Sequence, residues 1–132
     1  MTVKTIDTYF SKYIRLLHSV NGYCTCCTCG KTKKWDDIDA GHYVSRKYWL
    51  SRWDEYNVHP QCRGCNRDLS KYKASTLAEY TGFIIKNYGI EKYNELMNVK
   101  KKLNRKPREN EILEIGNKIK LKLKEVKNER IS

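Results

Sequence analysis

The chain has 132 residues, with 27 Lys or Arg against 15 Asp or Glu, a formal charge of +12. Its mean hydropathy of −0.80 excludes a thick apolar core, no apolar run approaches the ~20 residues of a membrane span, and the N-terminus has no signal-peptide segment. What remains is one small domain with an appendage, of a size that often relies on a staple, facing a polyanionic partner, most simply nucleic acid.

Ile6, Tyr9, Phe10, Tyr13, Ile14 and Leu17 recur at spacings of three and four, predicting an N-terminal helix that stops near Asn21-Gly22. Residues 23–75 change character to cysteines, short β-prone pieces and turn formers, the pattern of a small core. Thr76-x-x-Glu79 reads as a capping box for a helix carrying Leu77, Tyr80, Phe83 and Ile84, with Gly89 as its stop. A further helix over about residues 90–104 aligns Tyr93, Leu96, Met97 and Lys100. After Pro107, Ile112, Ile115, Ile119 and Val126 mark an amphipathic basic helix. Residues 101–132 carry half of the net charge. The expected division is therefore an N-terminal helix (1–22), a metal-binding core (23–75), helices packed on it (76–104) and a basic helical arm (105–132), an α+β chain overall.

Six cysteines occur. Cys26-x-x-Cys29 and Cys62-x-x-Cys65 form two C-x-x-C turns, whose four thiolates suit one tetrahedral zinc. Gly30 after Cys29 leaves room for amides to approach the sulfurs. The competing pair Cys24 and Cys27 lacks that glycine, which leaves these two as bystanders or alternative ligands. Nothing marks the chain as exported, so disulfides are disfavoured. A site with four thiolates has no open position for water and holds the fold, so any chemistry must come from the residues between the knuckles.

Two of the three histidines lie there, in Asp39-Ala40-Gly41-His42-Tyr43 and Asn57-Val58-His59-Pro60, with Asn66 directly after the last cysteine. Imidazole titrates near pH 6.5 and can take a proton from water, and a divalent cation on oxygen ligands can neutralise charge developing on a phosphodiester. Arg46, Arg52, Arg63 and Arg67, followed by Lys71 and Lys73, add phosphate-binding donors. His18 on the N-terminal stripe reads as a packing residue. Tyr43, Trp35, Trp49 and Trp53 read as core fillers rather than base-stacking residues.

The string Gly41-His42-Tyr43-x-Ser45-Arg46, Arg52-Trp53, Asn57-Val58-His59-x-Gln61-Cys62-x-x-Cys65-Asn66 resembles the HNH endonucleases with two zinc knuckles, and more closely the bacteriophage NinG/Rap recombination proteins. The likeness covers about residues 20–75, with a looser overall similarity beyond. It implies a zinc-stapled ββα-metal core, the His-Me finger, treble-clef-like, flanked by helices. By that resemblance His42 is the general base and Asn57 braces the loop and holds the His42 backbone. Asn66, in place of the final His of many relatives, helps to bind a catalytic Mg2+ or Mn2+. Many relatives carry an acidic or His ligand just before the base where this chain has Gly41, so Asp39 and His59 are the other candidate ligands.

The resemblance further implies a metal-dependent DNA endonuclease, acting in the cytoplasm of a bacterial host on branched intermediates such as Holliday junctions or D-loops. The competing class is a non-catalytic zinc module that binds DNA or bridges it to another protein. An RNA-binding role finds neither an RRM nor a KH signature. A four-way junction has two symmetric strands to cut, so a homodimer is expected, with the stripe Ile112, Ile115, Ile119 and Val126 as its contact.

Overall fold

A computed structural model of the chain describes residues 1–131; Ser132, the end of the expected basic segment, lies outside the described residues. Helix α1 (Val3–Leu17) starts where Thr2 Oγ1 accepts the Thr5 N–H at 3.1 Å. It buries Ile6, Phe10, Tyr13 and Ile14. The reversal beyond it falls on Asn21 and Gly22, both at positive φ (52° and 82°), a conformation natural to Asn and Gly.

Two small antiparallel sheets follow, giving an α+β architecture. In the first, β1 (Tyr23–Thr25) pairs with β2 (Thr32–Lys34), and the turn between them carries the first knuckle. In the second, β3 (Asp39–His42) pairs with β4 (Val58–Gln61), in the register Asp39 to Gln61, Gly41 to His59 and His42 to Val58. Helix α2 (Arg63–Ser70) leaves β4 at once, capped by the Cys62 sulfur, which accepts the Cys65 N–H at 3.5 Å. The Cys27 N–H donates to the Pro60 carbonyl at 3.0 Å and stitches the first knuckle to β4.

Helix α3 (Ala74–Tyr88) begins earlier than its capping motif predicts: Lys73 is the N-cap and Thr76 is buried inside the first turn. The chain reverses at Tyr72 (φ 58°) and runs straight into the helix, so Thr76 caps nothing. Gly89 at φ 91° ends it. Helix α4 (Ile90–Asn98) is shorter than predicted; after a 3-10 turn at Val99–Lys101 the chain runs on without regular structure to Arg108. Asn104 pins that stretch to the β3–β4 loop, accepting the Trp49 N–H at 3.0 Å and donating to the Lys47 carbonyl at 2.8 Å. Tyr43, Val44, Leu69, Tyr80, Ile84 and Leu96 form the core between α2, α3, α4 and the loop.

Helix α5 (Glu109–Arg130) lies along α1. Glu111 turns back to accept the Arg108 N–H at 3.0 Å. Gly116 allows the close approach, since a Cβ there would meet Met1 Sδ and sit 3.1 Å from Ile6 Cγ1. Ile112, Ile119, Leu123 and Val126 complete a core with the α1 stripe, and Ile115 packs at its edge. This corrects the expected dimer contact. The α1 face needs a cover, and burying each such side chain is worth about 1.5–3 kcal/mol, so the stripe is used within its own chain.

Candidate metal centre and adjoining cleft

The sulfurs of Cys26, Cys29, Cys62 and Cys65 all lie within 4.8 Å of one another. Cys29 Sγ and Cys62 Sγ are 3.7 Å apart, close to the roughly 3.8 Å edge of a tetrahedron with Zn–S bonds of ~2.3 Å. The donor set therefore fits a structural zinc. Backbone amides serve the sulfurs from outside: Cys62 N–H reaches Cys26 Sγ at 3.3 Å and Cys29 N–H reaches it at 3.5 Å. Burial works to raise the Cys26 thiol, but hydrogen bonds from the Cys29 amide, the Thr28 hydroxyl and the Cys62 amide outweigh it and bring the group down to about 6. Cys24 and Cys27 stand outside the cluster. Cys24 is buried and donates its thiol to the Arg15 carbonyl at 3.0 Å, and burial pushes it up to about 11.

Beside this centre a cleft of about 880 Å³ opens between α1, β3 and α2. His42 at the end of β3, Asp39 at its start and Asn66 on the first turn of α2 all line it. Asn66 Nδ2 donates to Asp39 Oδ2 at 3.1 Å. Arg63 Nη2 lies 3.2 Å from Asp37 and Arg63 Nε 3.8 Å from Asp39. Arg46, Arg63, Arg67 and Lys100 line the same cleft and are exposed. Lys71 and Lys73 do not line it, and Lys73 pairs with Asp68 at 3.5 Å.

His42 Nε2 lies 2.8 Å from the Arg52 carbonyl. A carbonyl only accepts, so Nε2 carries the proton and Nδ1 keeps its lone pair. Burial is the largest influence on His42 and, with help from Arg46, lowers it to about 4 against the opposing pull of the Arg52 carbonyl. The ring is neutral across the physiological range.

Two of the expected site residues, His59 and Arg52, do something else. His59 is fully buried, bonded to Tyr80 Oη at 3.0 Å and Tyr88 Oη at 2.7 Å. It does not line the cleft, and its two ring nitrogens are both engaged by tyrosine hydroxyls from α3, so it is no catalytic-metal ligand. Its contacts hold the hairpin instead, because Tyr80 donates onward to the Gly41 carbonyl at 2.7 Å. Asn57 braces the loop, and its backbone carbonyl accepts the Tyr43 N–H at 2.9 Å, holding the peptide that joins His42 to Tyr43. Its amide exchanges bonds with Val44 N–H (2.7 Å) and Val44 C=O (2.9 Å) and donates to Ser51 C=O (3.0 Å). Arg52 is turned away from the role of phosphate donor: its Nε and Nη2 bind Asp7, its Nη1 binds the Arg46 carbonyl, and the side chain is 15% exposed. His18 packs as expected, its ring 5.4 Å from that of His59.

Sequence reasoning missed Asp7, Tyr80 and Gln61. Gln61 Nε2 donates to Thr28 Oγ1 at 3.3 Å, and Thr28 in turn meets Cys26 Sγ at 3.3 Å. A Cβ on Gly41 would fall on Gln61 Oε1 and within 2.9 Å of Gln61 Cβ, so no acidic ligand fits at the position before His42. Gly41→Ala is expected to cost about 1–3 kcal/mol by overpacking, read as a lower urea midpoint at unchanged zinc content.

The family model described as the Bacteriophage Lambda NinG protein matches residues 2–129, nearly the whole chain. The chain belongs to the NinG family. Neither a curated protein nor a solved structure gives a significant match. The match takes in α1 and α5 along with the knuckles, so in this NinG-family chain the family likeness runs well beyond residues 20–75. Among the described residues, no helix is long and apolar enough to cross a membrane.

The buried imidazoles make stability depend on pH. His42 is lowered to about 4 and His59, by burial and the neighbouring His18, to about 3, both below the ~6.5 of an unfolded chain. The unfolded state therefore takes up protons first as pH falls. The stabilisation is complete above about pH 6.5 and is lost progressively toward about pH 4, at up to roughly 1.4 kcal/mol per unit for each ring. Urea midpoints of the zinc-loaded chain are expected to drop clearly between about pH 7 and about pH 5.5, and a flat profile would contradict neutral buried imidazoles.

Proposed function

We propose that the chain is a metal-dependent DNA endonuclease of the His-Me finger type, acting on branched recombination intermediates. The observation that carries this reading is the convergence of His42, Asp39 and Asn66 on one basic-rimmed cleft beside the cysteine cluster. The order β3, β4, α2 is the ββα arrangement expected of such nucleases. His42, neutral and with Nε2–H tied to the Arg52 carbonyl, offers Nδ1 as the base that takes a proton from water. Asp39 and Asn66 would hold Mg2+ or Mn2+ through hard oxygen donors. A bound cation would supply charge neutralisation on the phosphodiester. Arg46, Arg63, Arg67 and Lys100 bind the flanking phosphates. The preference for branched DNA rests on membership of the NinG family and on the sequence likeness to recombination proteins.

A second reading, a non-catalytic DNA-binding zinc module, draws on one feature. Asp39 is already shared by Arg63 and Asn66, and Gly41 leaves no room for another carboxylate. Nicking of a supercoiled plasmid by the zinc-loaded chain separates the two. Conversion to open circle with Mg2+ or Mn2+, stopped by excess EDTA, is expected of the enzyme. Retarded but intact plasmid at every metal concentration would favour the binding module.

A further inference from the structure

We propose that Asp7, on α1 and far in sequence from the hairpin, is a positioning residue that sets the tautomer and placement of His42 through Arg52. Asp7 Oδ1 accepts from Arg52 Nε at 3.1 Å and from Trp53 Nε1 at 2.9 Å, while Oδ2 accepts from Arg52 Nη2 at 2.6 Å. The remaining terminal nitrogen, Nη1, donates to the Arg46 carbonyl at 2.8 Å. The guanidinium carbon lies 4.8 Å from the Trp49 ring centroid and 5.7 Å from that of Trp53. Arg52 is thus held by a two-pronged ion pair, two indoles and a backbone oxygen. It is the carbonyl of this same residue that receives the His42 Nε2 proton.

The loop gives that carbonyl little other support. Arg52 sits just beyond a single 3-10 turn, its own N–H making a long 3.4 Å bond to Trp49, and no strand pairing includes it. Asn57 holds the preceding peptide at Ser51, and the side-chain clamp on α1 holds Arg52 itself. A neutral imidazole is a base at one nitrogen and a donor at the other, and only the partner decides which. If the carbonyl moves, the ring is free to turn an N–H toward the cleft, where it accepts no proton. Arg52 without its carboxylate is a mostly buried charge without its partner, which drives it toward solvent and takes the carbonyl with it. α1 lies outside the β3–β4–α2 unit, so the base would depend on a contact between that unit and the helix packed on it.

This inference rests on the reading of His42 as the base, and the experiment keeps the two apart. The zinc-loaded full chain is compared with Asp7→Ala, Asp7→Asn and Asp7→Glu. Long-range 1H–15N spectra of the His42 ring, assigned by difference with His42→Ala, report the tautomer. Single-turnover cleavage of a four-way junction and junction affinity are measured alongside. Wild type is expected to show one Nε2–H tautomer. Asp7→Ala should show a mixture, with cleavage slowed about 10- to 100-fold and affinity within about 3-fold, and Asp7→Glu should recover part of both. Asp7→Asn keeps the side-chain volume and is read in place of Asp7→Ala if the latter does not fold. An unaltered His42 spectrum in a folded variant lacking the carboxylate would overturn the proposal, as would a rate within about 2-fold of wild type. If the wild type cuts nothing, the nuclease reading fails and the spectra alone decide the Asp7–His42 link.

Discussion

His42→Ala is expected to slow DNA cleavage by about 10²–10⁴-fold, the range set by removing a positioned general base, while leaving DNA affinity within about 3-fold of wild type. The imidazole is neutral, lowered to about 4 chiefly by burial, so it adds no cation to the phosphate-binding rim. On the proposed function, affinity rests instead on Arg46, Arg63, Arg67 and Lys100 along the cleft, which the substitution does not touch. The His42 side chain bonds a loop carbonyl, while its strand pairing with Val58 is made by backbone that the substitution keeps, so the fold should survive its loss. Single-turnover rates with saturating enzyme, beside filter-binding affinities on the same DNA, separate the two effects. Equal losses in rate and affinity would assign His42 to binding; an unchanged rate would remove it from the chemistry.

Removing zinc is expected to cost the chain its native state. Structural zinc contributes apparent binding energies of about 10–16 kcal/mol in small fingers, comparable to the whole 5–15 kcal/mol stability of an ordinary domain. The apolar cluster around the knuckles consists of little more than Cys24, Cys26, Ile38 and Cys62, with Trp35 and Cys65 at its edge. Without metal it is a group of thiols around a short hairpin. Cys62 also caps α2, so its loss would displace Asn66 as well as one ligand. Cys62→Ser, or dialysis against a strong chelator, should abolish near-UV dichroism and DNA cleavage together. The α1–α5 pair retains part of the far-UV helical signal because its core lies mainly outside the cluster. A metal-free chain with native spectra and an unchanged melting temperature would show that the four cysteines need no ion.

How much of this was legible in the sequence follows from the range of each interaction. The knuckles were, because a C-x-x-C turn is local and two of them name their partner. The place of His42 at the end of a hairpin strand and of Asn66 on a helix leaving the second knuckle was too, because each follows from order along the chain. His59 was misplaced because the groups that engage it, Tyr80 and Tyr88, come from α3, and no local signal beside Pro60 says which helix will cover it. Arg52 looked like a phosphate donor because its partner Asp7 lies on a helix that composition gives no reason to bring near. The α5 stripe looked free for the same reason, since its cover is α1, at the opposite end of the chain. Gly41, first noticed as a missing ligand, has a steric cause in Gln61 that only the folded hairpin reveals.

The central claim, that the cleft at His42 cuts branched DNA, is tested most directly by incubating the zinc-loaded wild-type chain with end-labelled four-way junction and linear duplex of the same sequence, in Mg2+ and in EDTA. The expected result is strand scission near the branch point of the junction, far slower on the linear duplex and absent in EDTA. Tight junction binding with every strand intact in both Mg2+ and Mn2+ would contradict it.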